Sequence, residues 1–196
     1  AAIIGSDVII RSVGADGRTT AVGLPDEAPF GQQDPAWSRD GRTLYYVQNG
    51  FSGEGSASRI VRYDIASAAT QRVGDRGFVQ PAPSPSGRWI AATRITAKGT
   101  DVVLLDAVTG TIVLEVTRSG RAWAPAWSPD GTQLAFLSAA GTKAALNVAT
   151  IGSAAGQPTV ATSLVVLRDP VDADVRPAWS PITAAPAPAS GSATAP

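Results

Sequence analysis

The 196-residue chain contains no cysteine, no histidine and no methionine. Without cysteine it has no disulfide framework, no thiolate nucleophile and no cysteine-based metal site. Without histidine it lacks the usual general base for activating a serine and the commonest ligand of transition metals. The only lysines, Lys98 and Lys143, leave a serine–lysine dyad open, but nothing in the sequence places one. We therefore predict no catalytic residue, no metal site and no cofactor.

Excess charge and long apolar segments are also missing. Lysine and arginine number 16, aspartate and glutamate number 16, and the formal net charge is zero. Such a chain has no long-range field that would attract a phosphate backbone. The longest apolar runs, such as 102–105 and 164–167, fall far short of the roughly 20 residues that span a bilayer. These features argue against nucleic acid as a partner and against a transmembrane segment.

What the chain does contain is an internal repeat. A proline-led segment reads PAWSRDG at 35–41, PAPSPSG at 81–87 and PAWSPDG at 125–131, and a fourth copy begins as PAWSP at 177–181. The third position of the segment falls at 37, 83, 127 and 179, so the copies are 46, 44 and 52 residues apart. A period in the mid-forties is typical of propeller blades with four strands each.

The end of each copy predicts a turn between the first and second strands of a blade. In the third copy Pro129 presets φ for the second position of a type I turn, Asp130 suits the third position, and Gly131 can take the positive φ that closes the hairpin. Gly41 and Gly87 are assigned the same structural role in the other two copies.

Apolar runs after each turn predict the remaining strands. Second strands are expected at 44–47, 89–93 and 134–137, third strands at 59–65, 101–108 and 145–151, and fourth strands at 71–73, 111–116 and 163–167. The third strands are too continuously apolar to have a solvent face, as strands between stacked blades should be. The N-terminal segment repeats the pattern of a third strand at 7–13 and a fourth at 19–22.

We therefore predict an all-β propeller of four-stranded blades, about four in number, over residues 1–181. Three blades are complete and one is composite or partial. Pairing of 176–180 with the N-terminal strands would close a four-bladed ring, and the alternative is that the blades belong to a larger ring. Residues 182–196 are predicted to form a Pro/Ala/Ser-rich tail or linker, with packing of 184–188 on the last blade as the alternative.

Residues 125–136, which read PAWSPDGTQLAF, resemble the signature of TolB-type propeller repeats. The first copy matches except that Arg39 replaces the turn proline, and the second departs at Pro83 and Ser86. The resemblance extends over about residues 7–180. Relatives of this kind include periplasmic TolB, which binds partner proteins, and the propeller domains that cover the active site of prolyl oligopeptidase-type peptidases. The resemblance therefore implies a ring that presents loops to another molecule, without choosing among these functions.

The repeat contains the tryptophans Trp37, Trp127 and Trp179, and aromatic side chains of this kind can form a cage around a ligand. Their fixed place beside the turn favours packing between blades instead. We therefore assign them to the structural repeat. Asp40 and Asp130 are possible metal ligands by residue type. A single aspartate per turn, without the clustered carboxylates of a Ca²⁺ loop, indicates turn chemistry instead.

Candidate binding residues are concentrated in the connections from each fourth strand to the next first strand and in the loop 48–58. In propellers these segments lie on one face, which we call the loop face. Aromatic and charged side chains grouped on such a face resemble the anchors of a protein interface. The predicted partner-binding residues are Phe30, Phe51, Phe78, Arg76, Arg121, Trp123, Asp172 and Asp174. The alternative is that each aromatic side chain folds back and seals its own blade.

Together these features predict a noncatalytic propeller that acts as a protein–protein interaction or scaffolding module in an extracytoplasmic or envelope assembly. Two alternatives stay open at this point. One is the propeller domain of a prolyl oligopeptidase-type hydrolase whose catalytic domain lies outside the chain. The other is binding of a carbohydrate or small ligand at the mouth of the channel.

Overall fold

The computed structural model describes residues 9–13, 16–23, 31–50 and 58–180. The regular elements in these ranges are all β-strands, and none of the described residues belongs to a helix that could cross a membrane. The strands are β1 (Ile9–Val13), β2 (Thr19–Gly23), β3 (Gln32–Trp37), β4 (Thr43–Gln48), β5 (Arg59–Asp64), β6 (Thr70–Val73), β7 (Phe78–Pro83), β8 (Trp89–Thr96), β9 (Gly99–Asp106), β10 (Ile112–Glu115), β11 (Ala122–Trp127), β12 (Gln133–Ala140), β13 (Lys143–Ala154) and β14 (Gln157–Val171).

Consecutive strands pair in antiparallel meanders. Strands β3–β6 form blade 1, β7–β10 form blade 2 and β11–β14 form blade 3, while β1 and β2 form a separate two-stranded sheet. Each blade begins with a strand that carries a copy of the repeat, because the proline-led turn ends that strand and starts the hairpin. The prediction of an all-β propeller with three complete four-stranded blades and a partial one is confirmed.

The turn after each first strand is stabilised by hydrogen bonds that a serine donates and accepts. In blade 3 the Ser128 carbonyl accepts from the amide of Gly131 at 2.9 Å, and its hydroxyl donates to the Asp130 carboxylate at 2.6 Å. The same hydroxyl accepts from the amide of Gln133 at 2.9 Å. The closing glycine has positive φ in every blade, with 68° at Gly41, 72° at Gly87 and 73° at Gly131. Glycine adopts this backbone conformation without the penalty that a Cβ atom brings.

Each first strand also contains a β-bulge just before its repeat proline. The register with the second strand shifts there in all three blades. The residues at the bulge are Asp34, Gln80 and Ala124, with φ of 54°, 53° and 54°. Positive φ is uncommon for residues other than glycine, and a bulge redirects the local side chain and amide. The bulges therefore place three equivalent residues where they can contact one another.

Apolar side chains fill the spaces between blades. Strand β4 alternates its contacts, because successive side chains of a strand point to opposite faces. Its Tyr45 and Val47 join the cluster between blades 1 and 2, whereas Leu44 and Tyr46 face away from blade 2. A second large cluster joins blade 2 to blade 3 and includes Trp127.

The composite fourth blade is not formed among the described residues, which corrects one version of the prediction. Residues 176–180 form no strand, and β1 pairs only with β2 within the part of the chain described. The boundary between the propeller and the tail at 181/182 lies outside the described residues and stays a prediction.

The last hairpin is longer than the sequence predicted. A break was expected at 152–156, but β13 continues to Ala154 and β14 starts at Gln157. The two residues between them, Ala155 and Gly156, have φ of 49° and 77°. Positive φ at both central residues is the geometry of a tight hairpin turn, so small residues here continue the ladder rather than end it.

Candidate functional site

The loop face lacks one of its predicted aromatic anchors. Phe78 is only 5 % exposed and belongs to the cluster between blades 1 and 2, so its assignment to a partner-binding surface is wrong. As the first residue of β7, it is turned toward the core by the strand. Trp123 is half-buried, and its indole N–H donates to the carbonyl of Ala173 at 3.3 Å. Phe30 and Phe51 lie outside the described residues.

The four charged residues of the predicted partner-binding set are exposed. They are Arg76, Arg121, Asp172 and Asp174. Their carboxylates and guanidinium groups are available to solvent, but within the described ranges no fully exposed aromatic side chain of the predicted set accompanies them. Partner binding by these residues stays a prediction.

The three tryptophans of the repeat differ in environment. Trp127 is 9 % exposed, and its indole N–H donates to the carbonyl of Ala82 in blade 2 at 3.1 Å. Trp179 is half-buried, and its N–H donates to the carbonyl of Ala126 in blade 3 at 3.0 Å. Trp37 is 48 % exposed, so its assignment to the packed core is wrong.

These tryptophans line a pocket of about 480 Å³ at the end of the blades that carries the serine-based turns, which we call the turn face. The first strands of the three blades and the fourth copy of the repeat all contribute to it. We name it the turn-face pocket. Its principal lining residues are the aromatic and proline residues Trp37, Trp127, Trp179, Pro83, Pro85, Pro125 and Pro129, together with the arginines Arg39 and Arg176.

Arg39 crosses the mouth of this pocket. It occupies the turn position that is Pro85 in blade 2 and Pro129 in blade 3. Its Nη1 donates to the carbonyl oxygen of Pro129 at 2.8 Å, which connects the turn of blade 1 to that of blade 3. The side chain is exposed, and no acidic side chain pairs with it among the described residues. The departure from the repeat therefore places at the rim a positive charge that forms no ion pair among the described residues.

A polar network lies behind the pocket, at the bulges of the first strands. The amide of Gln80 donates to Asp34 Oδ2 at 3.1 Å, and the amide of Ala124 donates to Gln80 Oε1 at 2.9 Å. Arg176, at the same position of the fourth copy, donates from Nη1 to the carbonyl of Pro81 at 3.1 Å and lies 4.0 Å from Asp34 Oδ1. All four copies of the repeat are thus tied together at one level.

The electrostatics of the pocket favour an anionic group. Arg39 and Arg176 are the charged residues among its lining residues in the described part of the chain. Burial lowers the pKa of the Arg176 guanidinium, and the Asp34 carboxylate opposes that shift. Arginine stays protonated near neutral pH even with such a shift. Apolar ring faces beside two guanidinium groups can hold an extended apolar segment that carries a carboxylate.

A metal site has no support in the described ranges, where no three acidic side chains come together. The acidic side chains of the turns are already engaged. Asp40 accepts from the Ser38 hydroxyl at 2.7 Å and from the Arg42 amide at 3.1 Å, which is the turn role predicted for it. The Ser38 hydrogen bond is the main cause of a lowered pKa at Asp40.

The sequence named the tryptophans as structural residues of the repeat and did not predict the turn-face pocket that they line. The signal that was available is Arg39, because an arginine in place of a turn proline is the one charged departure from the repeat. No feature of the sequence predicts that Trp37 is exposed. Its exposure depends on which parts of the structure lie beside it.

Comparisons with known proteins place this fold. No protein-family model matches the sequence, and no curated protein matches it. Among solved structures, TolB from Acinetobacter baumannii has a TM-score of 0.57 and 18% identity, covering 88% of this chain and 51% of that one. A TolB structure from Agrobacterium tumefaciens has a TM-score of 0.54 and 20% identity, covering 78% of this chain and 59% of that one.

Peptidase propellers are similar to a lesser extent. The acylaminoacyl peptidase of Pyrococcus horikoshii has a TM-score of 0.50 and 16% identity, covering 69% of this chain and 25% of that one. The present chain spans between half and three fifths of the length of the two TolB structures. Three antiparallel blades with the proline-led turn at equivalent positions agree with these likenesses. The chain has a TolB-like β-propeller fold.

Proposed function

We propose that this chain is a noncatalytic binding module that takes up a segment of a partner protein in the turn-face pocket. The observation that carries the proposal is the environment of Trp37. Its indole ring is 48 % exposed beside a pocket of about 480 Å³, and its N–H has no hydrogen-bond acceptor in the described structure. Tryptophan is enriched among the residues that dominate binding energy, and the volume lies within the range of ligand pockets.

The charge of the lining favours a partner segment that carries a carboxylate. Arg39 donates only to a neutral carbonyl, so an acidic side chain or a chain terminus would gain a charge-assisted hydrogen bond there. The exposed charges of the loop face, Arg76, Arg121, Asp172 and Asp174, stay candidate contacts for a larger partner. We further propose that the partner belongs to an extracytoplasmic or envelope assembly, in line with the TolB-like fold.

The proposal is tested by panning a displayed library of short random peptides against the chain, with counter-selection on the Trp37→Ala variant. We expect clones whose affinity falls at least about tenfold on that substitution, as for an interface residue worth more than 1 kcal/mol. Clones with Asp or Glu should also lose affinity on Arg39→Pro. That substitution restores the proline that the other two turns carry and removes the guanidinium.

Trp123→Phe on the loop face is the matched control and should leave the affinities unchanged. If panning without counter-selection yields clones that bind wild type and Trp37→Ala equally, and counter-selection leaves no clone, the binding surface lies elsewhere. A glycan array that shows Trp37-dependent binding of oligosaccharides, with no peptide enriched, would replace the protein partner with a carbohydrate.

A further inference from the structure

A second pocket lies between blades 1 and 2, and we call it the interblade pocket. Its volume of about 590 Å³ falls within the range of roughly 300 to 1,000 Å³ that is usual for ligand sites. The polar side chains that line it are Arg39, Asp40, Thr43, Tyr45 and Arg62 from blade 1 and Ser86 from the turn of blade 2. Arg39 also lines the turn-face pocket, so the two pockets are neighbours.

The repeat explains why this space is open. Between blades 2 and 3 the corresponding space is filled, because Trp127 stacks on Trp89 with ring centroids 6.4 Å apart. In the repeat, Trp127 corresponds to Pro83 of blade 2. Trp89 corresponds to Thr43 of blade 1, since the carbonyls of both accept from the amide of the turn serine. Two small side chains thus take the places of two indole rings, and Thr43 lines the pocket that results.

The side chains on this face of blade 1 are polar where those of blade 2 are apolar. Tyr45 pairs with Arg62 across β4 and β5, so both side chains lie on the face that meets blade 2. The residues paired in the same register of blade 2 are Ala91 and Leu104, and both are buried against blade 3. A place that holds a packed leucine in one blade therefore holds a guanidinium group at a pocket in the other.

The charges of the interblade pocket match a monoanion. Arg39 and Arg62 carry two positive charges and Asp40 carries one negative charge, which leaves one positive charge. Arg62 is half-buried and forms no ion pair within the described ranges. A carboxylate balances the remaining charge. A phosphate monoester carries roughly −1.5 to −2 at pH 7, so it would exceed that charge and be repelled by Asp40.

The remaining polar groups suit a ligand that also carries hydroxyl groups. The Ser38 hydroxyl and the Arg42 amide both donate to Asp40 Oδ1, so Oδ2 can accept from a ligand hydroxyl. Burial raises the pKa of Tyr45, which therefore stays protonated and can donate. Ser86 stands where the turns of blades 1 and 3 have aspartate, and it lines the pocket with a neutral hydroxyl instead of a second carboxylate.

We propose that the interblade pocket binds a small polyhydroxylated monocarboxylate, such as a sugar acid, with its carboxylate on Arg62 and its hydroxyl groups on Asp40 and Tyr45. The planar guanidinium group can hold a carboxylate by two parallel hydrogen bonds, which fixes the orientation of the ligand. Arg39 supplies the second positive charge. The inference does not rest on the proposed function, because Trp37 and the other tryptophans of the turn-face pocket are not among the residues that line this one.

Calorimetric titration of the full chain with gluconate, glucuronate and quinate tests the proposal. We expect binding of at least one of these acids, and Arg62→Leu should weaken it at least about tenfold, as for the loss of a hydrogen bond to a charged group. Leucine is the residue at the equivalent position of blade 2, so this substitution is compatible with the fold. Arg72→Leu is the matched control and should leave the affinity unchanged. Arg72 is exposed and pairs with Val61, so it lies on the opposite face of the same blade.

The turn of blade 2 provides a second pair of variants. Ser86→Asp restores the aspartate of the other turns and cancels the net positive charge of the lining. We expect it to weaken binding of the acid by roughly fivefold, because a like charge then faces the carboxylate. Ser86→Asn has the same shape without the charge and should have a smaller effect. Equal effects of the two substitutions would contradict the electrostatic basis of the site.

The other outcomes are equally decisive. If none of the three acids binds, or if Arg62→Leu leaves their binding unchanged, the proposal is overturned. Equal affinity for glucose would show that the carboxylate is not recognised, and tighter binding of glucose 6-phosphate would overturn the choice of a carboxylate over a phosphate ester. Trp37→Ala should leave binding of the acids unchanged, and Arg62→Leu should leave binding of the panned peptides unchanged. Each pocket can therefore fail its test without the other.

Discussion

At the scale of single residues, the same tryptophan of the repeat serves two purposes. Trp127 is buried between blades 2 and 3, and its ring stacks on Trp89 with centroids 6.4 Å apart. Trp37 lies at the equivalent position of its strand and also pairs with a leucine, but about half of its side chain is exposed to solvent. Residue identity is equal in the two cases, so the difference comes from the neighbouring blade alone.

The two tryptophans should therefore differ in what they contribute to stability. Trp127→Ala is expected to lower the free energy of unfolding by about 3 to 5 kcal/mol, because it leaves a large cavity between blades. Trp37→Ala should change it by less than about 1 kcal/mol, as for an exposed side chain. Urea unfolding followed by circular dichroism measures both values. Equal losses would mean that Trp37 is packed after all.

At the scale of elements, the serine-based turn is the unit that repeats. Its aspartate has a lowered pKa, caused chiefly by the serine hydroxyl in blades 1 and 3. Blade 2 has Ser86 in place of the aspartate, and there two hydroxyls lie 3.1 Å apart instead. The turn geometry survives without the carboxylate, because the backbone bonds and the closing glycine are the same.

The lowered pKa of Asp130 makes its contribution pH-dependent. The folded-state pKa lies below the ordinary value of 3.8, so the stabilisation is complete above that pH and is lost as pH falls through the folded-state pKa. We expect wild type to be more stable than Asp130→Asn at pH 6, with the difference shrinking as pH drops below 3.8. Urea unfolding of both proteins at pH 6 and pH 3 measures it. A difference that does not change with pH would contradict this assignment.

A close backbone approach joins the turn between β9 and β10 to the end of β6. A Cβ atom on Gly110 would overlap the amide nitrogen of Gly74, and the φ of Gly110 is 71°. Gly141 has a similar φ of 65° with nothing within 4 Å, which makes it a matched control.

Alanine at the two glycines should therefore have unequal effects. Gly141→Ala carries only the penalty of positive φ, roughly 1 to 2 kcal/mol. Gly110→Ala should cost a further 1 to 3 kcal/mol or so, because the two backbones must separate. Chemical unfolding of both variants gives the comparison. Equal losses would show that blades 1 and 2 adjust at this contact without strain.

At the scale of the whole molecule, the blades are connected by contacts distant in sequence. Arg39 reaches the turn of blade 3, and Arg176 reaches blades 1 and 2 from the segment that follows blade 3. These contacts hold the first strands around one pocket although the sheets share no hydrogen-bonded closure. The site is therefore a property of the assembled blades rather than of any one of them.

Arg176 is the residue whose loss should loosen this arrangement. Arg176→Ala leaves the Pro81 carbonyl without its donor and Asp34 without its nearest cation, and we expect a loss of about 1 to 2 kcal/mol. For a chain of this size that corresponds to a melting temperature lower by roughly 2 to 8 °C. Arg121→Ala, on the exposed loop face, should leave the melting temperature nearly unchanged. Calorimetry measures the melting temperatures of both variants. Equal melting temperatures would show that the contacts of Arg176 do not stabilise the fold.

The sequence by itself determined the blades of this protein. A proline-led turn with a closing glycine acts within a few residues, so PAWSPDG and its copies locate each hairpin, and the apolar runs between them locate the strands. It did not determine the extent of the last hairpin or the lack of strand pairing at 176–180 within the described residues, because small residues at 152–156 and the last copy at 177–181 are compatible with more than one pairing.

Only the tertiary structure decided where the exposed aromatic surface lies. Burial of Phe78 and exposure of Trp37 depend on which blade stands beside each residue, and the pocket joins residues as far apart in sequence as Ala36 and Trp179. Local patterning carries no information about such contacts, since the same tryptophan is compatible with either environment. The physical reason is that burial is set by neighbours in space, and these are supplied by the arrangement of blades.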